Sequence, residues 1–133
     1  MAESGFLVTG ISFGTVLSHA GVNLNIMILK EMHCEPVKAG TKPLDEEKIN
    51  QYMAELPVEW KVTNNKILSR EYPFENFKRG MAFAQEIGRI AEQEQHHPGV
   101  CVEFPKVDVE LSTHDIGGLS VNDFIMAARI EDI

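Results

Sequence analysis

The chain has 133 residues, of which 44% are hydrophobic and 24% charged, so its size and composition predict one globular domain. Its net charge of −8 at pH 7 would repel a phosphate backbone, which argues against nucleic acid as a direct partner. Cys34 and Cys101 lack the spacing of a zinc site or of a disulfide framework, so we expect two reduced thiols in a cytoplasmic protein.

The first 31 residues form an apolar stretch that polar side chains interrupt. Residues 4–29 contain no Lys, Arg, Asp or Glu, but their polar residues argue against a membrane span. A secretory signal would begin with basic residues and a transit peptide would contain arginines, so neither is expected. We interpret residues 1–31 as an extension that forms an additional strand or a partner-binding arm. With the linker that follows, residues 1–43 precede a predicted domain over residues 44–133.

The predicted domain begins with a helix and a β-hairpin. Apolar residues recur at helical spacing over residues 44–56, where Asp45 is the predicted N-cap. Apolar and polar residues then alternate over residues 58–62, as in a half-buried strand. Asn64-Asn65 provides a tight turn, because Asn tolerates positive φ, and residues 66–72 form the returning strand.

The second half of the domain repeats this order. Residues 74–95 carry an apolar stripe at helical spacing and are predicted to form the longest helix. Two alternating segments, residues 100–104 and 107–112, form a second hairpin, and a last helix covers residues 121–130. The order helix–hairpin–helix–hairpin–helix predicts an α+β fold with a four-stranded antiparallel sheet and three helices on one face.

Two adjacent histidines, His96 and His97, stand before Pro98 at the end of the predicted long helix, and His114 follows in a loop. Histidine has an unperturbed pKa of about 6.5 and can give and take protons near neutral pH. One histidine there could simply interact with the helix dipole, which contributes about 0.3–1 kcal/mol. Two successive residues cannot both do this, because they point about 100° apart on a helix. Acid–base chemistry is therefore a candidate function.

Each candidate has a competing interpretation. Glu92 lies one turn before His96 and could form a metal pair with it, but zinc sites on helices place two histidines four residues apart, and no metal is predicted. Glu92 could equally be a solvated helix residue. Asp123 falls three residues after Ser120, at the N3 position of a capping box, where it would satisfy a backbone N–H. Phe104 is expected in the core rather than in a stacking platform.

These residues together form a recognisable pattern. Glu92-x-x-x-His96-His97-Pro98, followed by Phe104, His114 and Asp123 at the spacings found here, resembles the signature of the pterin-4a-carbinolamine dehydratases. The segment at residues 111–120 is similar to the part of that family around its third histidine. The resemblance runs from about residue 44 to the C-terminus and does not cover residues 1–31.

The resemblance implies an enzyme that dehydrates a 4a-hydroxytetrahydropterin to the quinonoid dihydropterin, in pterin recycling. By that analogy His96, His97 and His114 are the catalytic histidines, and Asp123 and Glu92 orient them. His97 contacts the pterin, while His96 or His114 handles the leaving hydroxyl. Phe104 and Thr113 are further substrate contacts, taken like the others by analogy. We expect the three imidazoles to line one cleft.

The same resemblance implies the partners. A small-molecule pterin is the expected substrate, without cofactor or metal, in a cytoplasmic homodimer or homotetramer that binds neither nucleic acid nor membrane. The alternative is an interaction protein on the same fold, because some relatives are dimerisation cofactors of a transcription factor and others are assembly chaperones. A protein with only that role would be free to lose its histidines, and all three are present here.

Overall fold

A computed structural model describes residues 24–133, with side chains from residue 28 onward. The chain-order elements are helix α1 (Leu24–Glu31), helix α2 (Glu46–Met53), strands β1 (Lys61–Thr63) and β2 (Ile67–Pro73), helix α3 (Phe77–Glu94), strands β3 (Gly99–Glu103) and β4 (Lys106–Leu111), a 3₁₀ turn (His114–Ile116) and helix α4 (Val121–Glu131). The part of the predicted N-terminal extension before residue 24 lies outside the described residues.

The four strands form one antiparallel sheet in the order β1-β2-β4-β3, which confirms the predicted α+β fold. Leu68 of β2 lies opposite Leu111 of β4, and both are buried on the face that the helices cover. Ser69 and Glu110, one position along, lie opposite each other on the other face. Because side chains alternate along a strand, one face is apolar and packed and the other is polar.

The core lies between the sheet and the helices. Trp60 is 2% exposed, and its indole N–H donates to Glu131 Oε2 of α4 at 2.9 Å. Arg70 donates to the same oxygen at 2.5 Å and the hydroxyl of Tyr72 is a third donor. One carboxylate at the end of α4 therefore joins the last helix to the first hairpin.

Helix α1 is an addition to the predicted architecture. It packs against α4, and its Leu29 is buried in the common core at 5% exposure. Arg129 of α4 donates to the carbonyl of Met32, just beyond the end of α1, through Nε at 3.0 Å and Nη2 at 2.5 Å. For Leu24–Glu31 the interpretation as an additional strand is therefore wrong. Among the described residues, no helix has both the length and the apolar character needed to cross a membrane.

Candidate active site

The two adjacent histidines lie just past the end of α3. Helix α3 ends at Glu94, and Gln95 adopts a left-handed conformation with a φ of 55° that turns the chain away from the helix axis. His96 and His97 follow in irregular backbone, and β3 begins at Gly99. The proline at position 98 prevents further helical hydrogen bonding. The histidines therefore lie between helix and strand rather than in a last helical turn.

His96 is held by a buried carboxylate. Its Nε2 lies 2.7 Å from Oδ1 of Asp123, whose side chain is 0% exposed, while that of His96 is 13% exposed. The other carboxylate oxygen accepts from the Thr113 hydroxyl at 2.8 Å and from the Ser120 backbone N–H at 2.9 Å. Asp123 thus stabilises the start of α4, as the capping interpretation predicts, and also contacts His96.

His97 is held in a different environment. Its Nε2 lies 2.7 Å from Oε2 of Glu92, but the side chains of the pair are 56% and 74% exposed. A carboxylate fixes which imidazole nitrogen carries the proton, because a carboxylate accepts hydrogen bonds. In both pairs that nitrogen is Nε2, and neither Nδ1 has a hydrogen-bond partner among the described residues. Nδ1 of each ring is therefore left for other chemistry.

Two of the three predicted histidines share a cleft. A cleft of about 370 Å³, here the histidine cleft, is lined by His97 and His114. Its other lining residues come from the two hairpins and the loop after β4: Lys66, Ile67, Gly99, Glu110, Leu111, Ser112 and Gly117. Its volume is in the range of small-molecule sites, about 300–1,000 Å³.

His96 lines a second cleft, of about 500 Å³, together with Thr113 and Asp115. Residues 34–37 form one of its walls. Most of this wall belongs to a segment at residues 33–36 that we call the strap, and we therefore call this cleft the strap cleft. His96 and His97 are consecutive, as are Thr113 and His114, and one member of each pair lines each cleft. We expected the three imidazoles to line one cleft. In the described part of the chain, His97 and His114 line the histidine cleft and His96 lines the neighbouring strap cleft.

The remaining predicted contacts differ in their placement. Thr113 is buried at 6% exposure, and its hydroxyl donates a hydrogen bond to Asp123. Phe104 directly follows β3, whereas His97 precedes that strand, so the two residues lie at its two ends. Phe104 is 64% exposed, and the expectation that it packs in the core is therefore wrong. Phe104 lines neither cleft, and the fold of one chain does not bring it to the histidines.

Sequence reasoning missed the strap, residues 33–36, which side chains of α3 and α4 hold against the domain. Glu94 accepts from the Cys34 N–H at 2.7 Å through one oxygen and lies 2.8 Å from His33 Nδ1 through the other. Asn122 accepts from the Glu35 N–H at 3.1 Å and donates to its carbonyl at 2.7 Å. Such contacts join residues that are far apart in the chain, so no local sequence pattern predicts them.

The electrostatics of the strap centre on Glu94, whose side chain is 1% exposed. Burial alone would raise the pKa of this carboxyl. The hydrogen bonds from Cys34 and His33 and the nearby Arg129 guanidinium outweigh it, so the pKa lies below its ordinary value. The buried carboxylate is therefore stabilised in its charged form by the strap and by Arg129.

The comparisons with known proteins identify the family of the chain. A family model described as pterin 4 alpha carbinolamine dehydratase matches residues 42–133. The chain belongs to this family. A relative from Alkaliphilus metalliredigens is 43% identical over 103 residues, which are 77% of this chain and 93% of the relative. One from Rickettsia canadensis is 43% identical over 104 residues, 78% of this chain and 95% of the relative. Both are named provisionally as pterin-4-alpha-carbinolamine dehydratases.

A solved structure extends the agreement to the fold. A Brucella melitensis protein described as a transcriptional coactivator/pterin dehydratase has a TM-score of 0.64 and 27% identity. The similarity covers 68% of this chain and 97% of that one. As a member of the dehydratase family, the chain has the expected α+β fold, and its matched region begins close to the predicted domain start.

Proposed function

We propose that this protein dehydrates a 4a-hydroxytetrahydropterin to the quinonoid dihydropterin, in pterin recycling, with histidines as acid and base. The observation that carries the proposal is the pairing of His97 and His114 in one cleft of suitable size. Family membership supports a dehydratase, and the cleft supplies two groups that can exchange protons near neutral pH.

The reaction needs one acid and one base. The N5 lone pair forms the C4a=N5 double bond as the C4a–O bond breaks, and the leaving hydroxyl takes a proton and departs as water. The N5 proton passes to a base, so atoms and charge balance. His97 contacts the pterin, and His114, which shares its cleft, handles the leaving hydroxyl. A positioned acid or base contributes about 10²–10⁴-fold to a rate.

His96 has a different task in this proposal. His96 lines the strap cleft. One carboxylate oxygen of Asp123 binds His96, and the other accepts a hydrogen bond from the Thr113 hydroxyl. Because Thr113 directly precedes His114, Asp123 ties the turn that carries His97 to the loop that carries His114. His96 and Asp123 are then positioning residues, and Glu92 orients the exposed imidazole of His97.

Stopped-flow dehydration of a synthetic 4a-hydroxytetrahydropterin tests the proposal. We expect wild-type protein to accelerate the reaction over buffer, and His97→Ala and His114→Ala each to lose about 10²–10⁴-fold of that acceleration. His33→Ala is the matched control, since His33 lines neither cleft. A wild-type rate equal to that of buffer would overturn the dehydratase, and wild-type rates in both variants would overturn the assignment of the cleft.

We also propose self-association, through α3. Phe77 and Met81 lie four residues apart on one face of this helix and are 51% and 48% exposed. Two such side chains on one helix favour burial against a second copy. Sedimentation of the full chain should show a dimer or tetramer, and Met81→Glu should shift it to smaller species. A monomeric wild type at micromolar concentration would contradict this.

A further inference from the structure

Two charged side chains of the histidine cleft have no role in the proposed proton transfer. Lys66 and Glu110 both line it, and within residues 28–133 neither forms an ion pair or a side-chain hydrogen bond. Lys106, elsewhere on the sheet, is by contrast surrounded by three carboxylates. Opposite charges that share a concave site and remain unpaired are available to a ligand.

Glu110 stands where the sheet meets the histidine turn. Glu110 lies opposite Gly99 in the terminal residue pair of the β3–β4 ladder. Gly99 follows His97 by two residues in the chain. A side-chain carbon added at Gly99 would lie in ordinary contact with Glu110, 3.9 Å from its Cβ, so the glycine leaves open the space beside the base of this side chain. His97, Gly99 and Glu110 therefore all border the histidine cleft at the point where β3 begins.

Lys66 is placed by the turn of the first hairpin. Asn64 and Asn65 both adopt left-handed conformations, with φ of 53° and 56°, and the Lys66 N–H donates to the Thr63 carbonyl at 3.0 Å. Two consecutive positive φ values are those of the tight hairpin turns. The base of the lysine is thus fixed, while its ammonium group has the reach of a flexible stem.

The chemistry of this pair matches one edge of a pterin ring. That edge carries two adjacent donors, N3–H and the 2-amino group, followed by an acceptor, the C4 carbonyl. A carboxylate accepts two parallel hydrogen bonds and an ammonium group only donates. We infer that Glu110 binds the N3–H and 2-amino groups of the substrate and that Lys66 binds its C4 carbonyl, which makes the pair the determinant of specificity for pterins.

This inference rests on the proposed function for its ligand, and it is consistent with the chemistry of the same cleft. C4 is bonded directly to C4a, the carbon that loses its hydroxyl. A ring held at C4 by Lys66 and at N3 by Glu110 therefore presents C4a to the part of the cleft that His97 and His114 line. Recognition of the edge and proton transfer at C4a would use different residues.

Equilibrium binding tests the inference without turnover. Biopterin and the matching lumazine, which has a carbonyl oxygen in place of the 2-amino group, are both fluorescent and can be titrated directly. Glu110→Gln turns the double acceptor into one acceptor and one donor, which suits the N3–H and C2 carbonyl of lumazine. We expect this variant to bind biopterin about 10- to 100-fold more weakly and lumazine no more weakly than wild type.

Lys66→Met is the second variant of the binding experiment and is titrated with the same two ligands. Both ligands carry the C4 carbonyl, so we expect this variant to weaken both by similar factors. Glu103→Gln, an exposed carboxylate at the other end of β3, is the matched control and should leave both affinities unchanged. An equal loss for both ligands in Glu110→Gln, or no binding of biopterin by wild type, would overturn the inference. The predicted pattern without dehydration would support the inference and reject the proposed function.

Discussion

The carboxylate of Asp123 lies 2.7 Å from Nε2 of His96 and is completely buried. Its second oxygen accepts from the backbone N–H of Ser120, at the beginning of α4, and from the hydroxyl of Thr113. One side chain therefore joins the turn after α3, the loop after β4 and the start of α4. Disturbing it should affect stability and activity together.

Asp123→Asn should reduce both. The side-chain amide nitrogen of Asn would face at least one of the three groups that donate to Asp123, which are His96 Nε2, the Thr113 hydroxyl and the Ser120 N–H. A buried donor left without an acceptor costs about 1–3 kcal/mol. We expect the free energy of unfolding in urea to fall by that amount. The dehydration rate should fall as well, because the turn before His97 and the loop before His114 lose their common partner.

Asp45→Ala separates the two effects. Asp45 caps α2 by accepting from the Lys48 N–H at 2.9 Å, and removal of such a cap costs about 1 kcal/mol. It lines neither cleft. This variant should therefore lose stability and keep its rate. If Asp123→Asn also kept a wild-type rate, its role in positioning would be refuted.

Glu92→Gln should have a smaller effect than Asp123→Asn. The Glu92–His97 pair is exposed, and exposed polar pairs of this kind contribute at most about 0.2–1 kcal/mol. The amide oxygen of Gln can still accept from Nε2 of His97. We expect a stability change below about 1 kcal/mol and a smaller rate loss than in Asp123→Asn, measured in parallel by urea unfolding and stopped flow. A larger rate loss would identify Glu92, not Asp123, as the main orienting carboxylate.

Gly118→Ala should distort the loop that carries His114. An added Cβ would lie 2.7 Å from the Cβ of Pro43, closer than real contacts allow. The loop and residue 43 would have to separate, at a cost of about 1–3 kcal/mol. Gly88→Ala is the matched control, since its Cβ would meet no atom of the described residues within 4 Å and helical Ala is favoured over Gly by about 0.5–1 kcal/mol. Thermal unfolding should show opposite signs for the two variants, and equal signs would contradict the packing.

The strap predicts a pH dependence through Glu94. Its pKa is lower in the folded protein than the ordinary 4.5, so its contribution to stability is present above that value. The contribution is lost as the pH falls through the lower, folded pKa. Glu94→Gln should be less stable than wild type at pH 7, by about 1.5–3 kcal/mol, and the difference should shrink below about pH 4.5. Urea unfolding of both proteins from pH 7 to pH 3.5 measures it, and a constant difference would contradict the assignment.

Sequence periodicity predicted the elements well, and it failed where a local turn replaced regular structure. The long helix was predicted over residues 74–95 and observed over Phe77–Glu94. The first strand was predicted over residues 58–62, but Val58 is 90% exposed and a turn joins the Trp60 N–H to the Pro57 carbonyl. Alternation of apolar residues does not distinguish a short turn with one buried tryptophan from a strand.

The candidate site shows a different limit. Spacing and resemblance identified the histidines and their carboxylates, but adjacent residues outside a helix point to opposite sides of the backbone. The left-handed residue at position 95 ends the helix just before the two histidines, and the sequence pattern does not reveal it. Lys66 falls in the predicted returning strand of the first hairpin, and Glu110 is a polar position of the predicted second hairpin, so the sequence pattern identifies neither as part of the cleft.

The two thiols should differ in reactivity. Burial, and secondarily the carboxylate of Glu94, raises the pKa of Cys34 to about 12, so little reactive thiolate forms near neutral pH. Cys101 is exposed on the edge strand β3. Iodoacetamide at pH 8, followed by peptide mass analysis, should label Cys101 first and Cys34 only slowly. In Asn122→Ala, where the strap loses both hydrogen bonds to Glu35, we expect faster labelling of Cys34 at an unchanged rate for Cys101. Equal rates for the two thiols in wild type would show that Cys34 is not buried against the domain in solution.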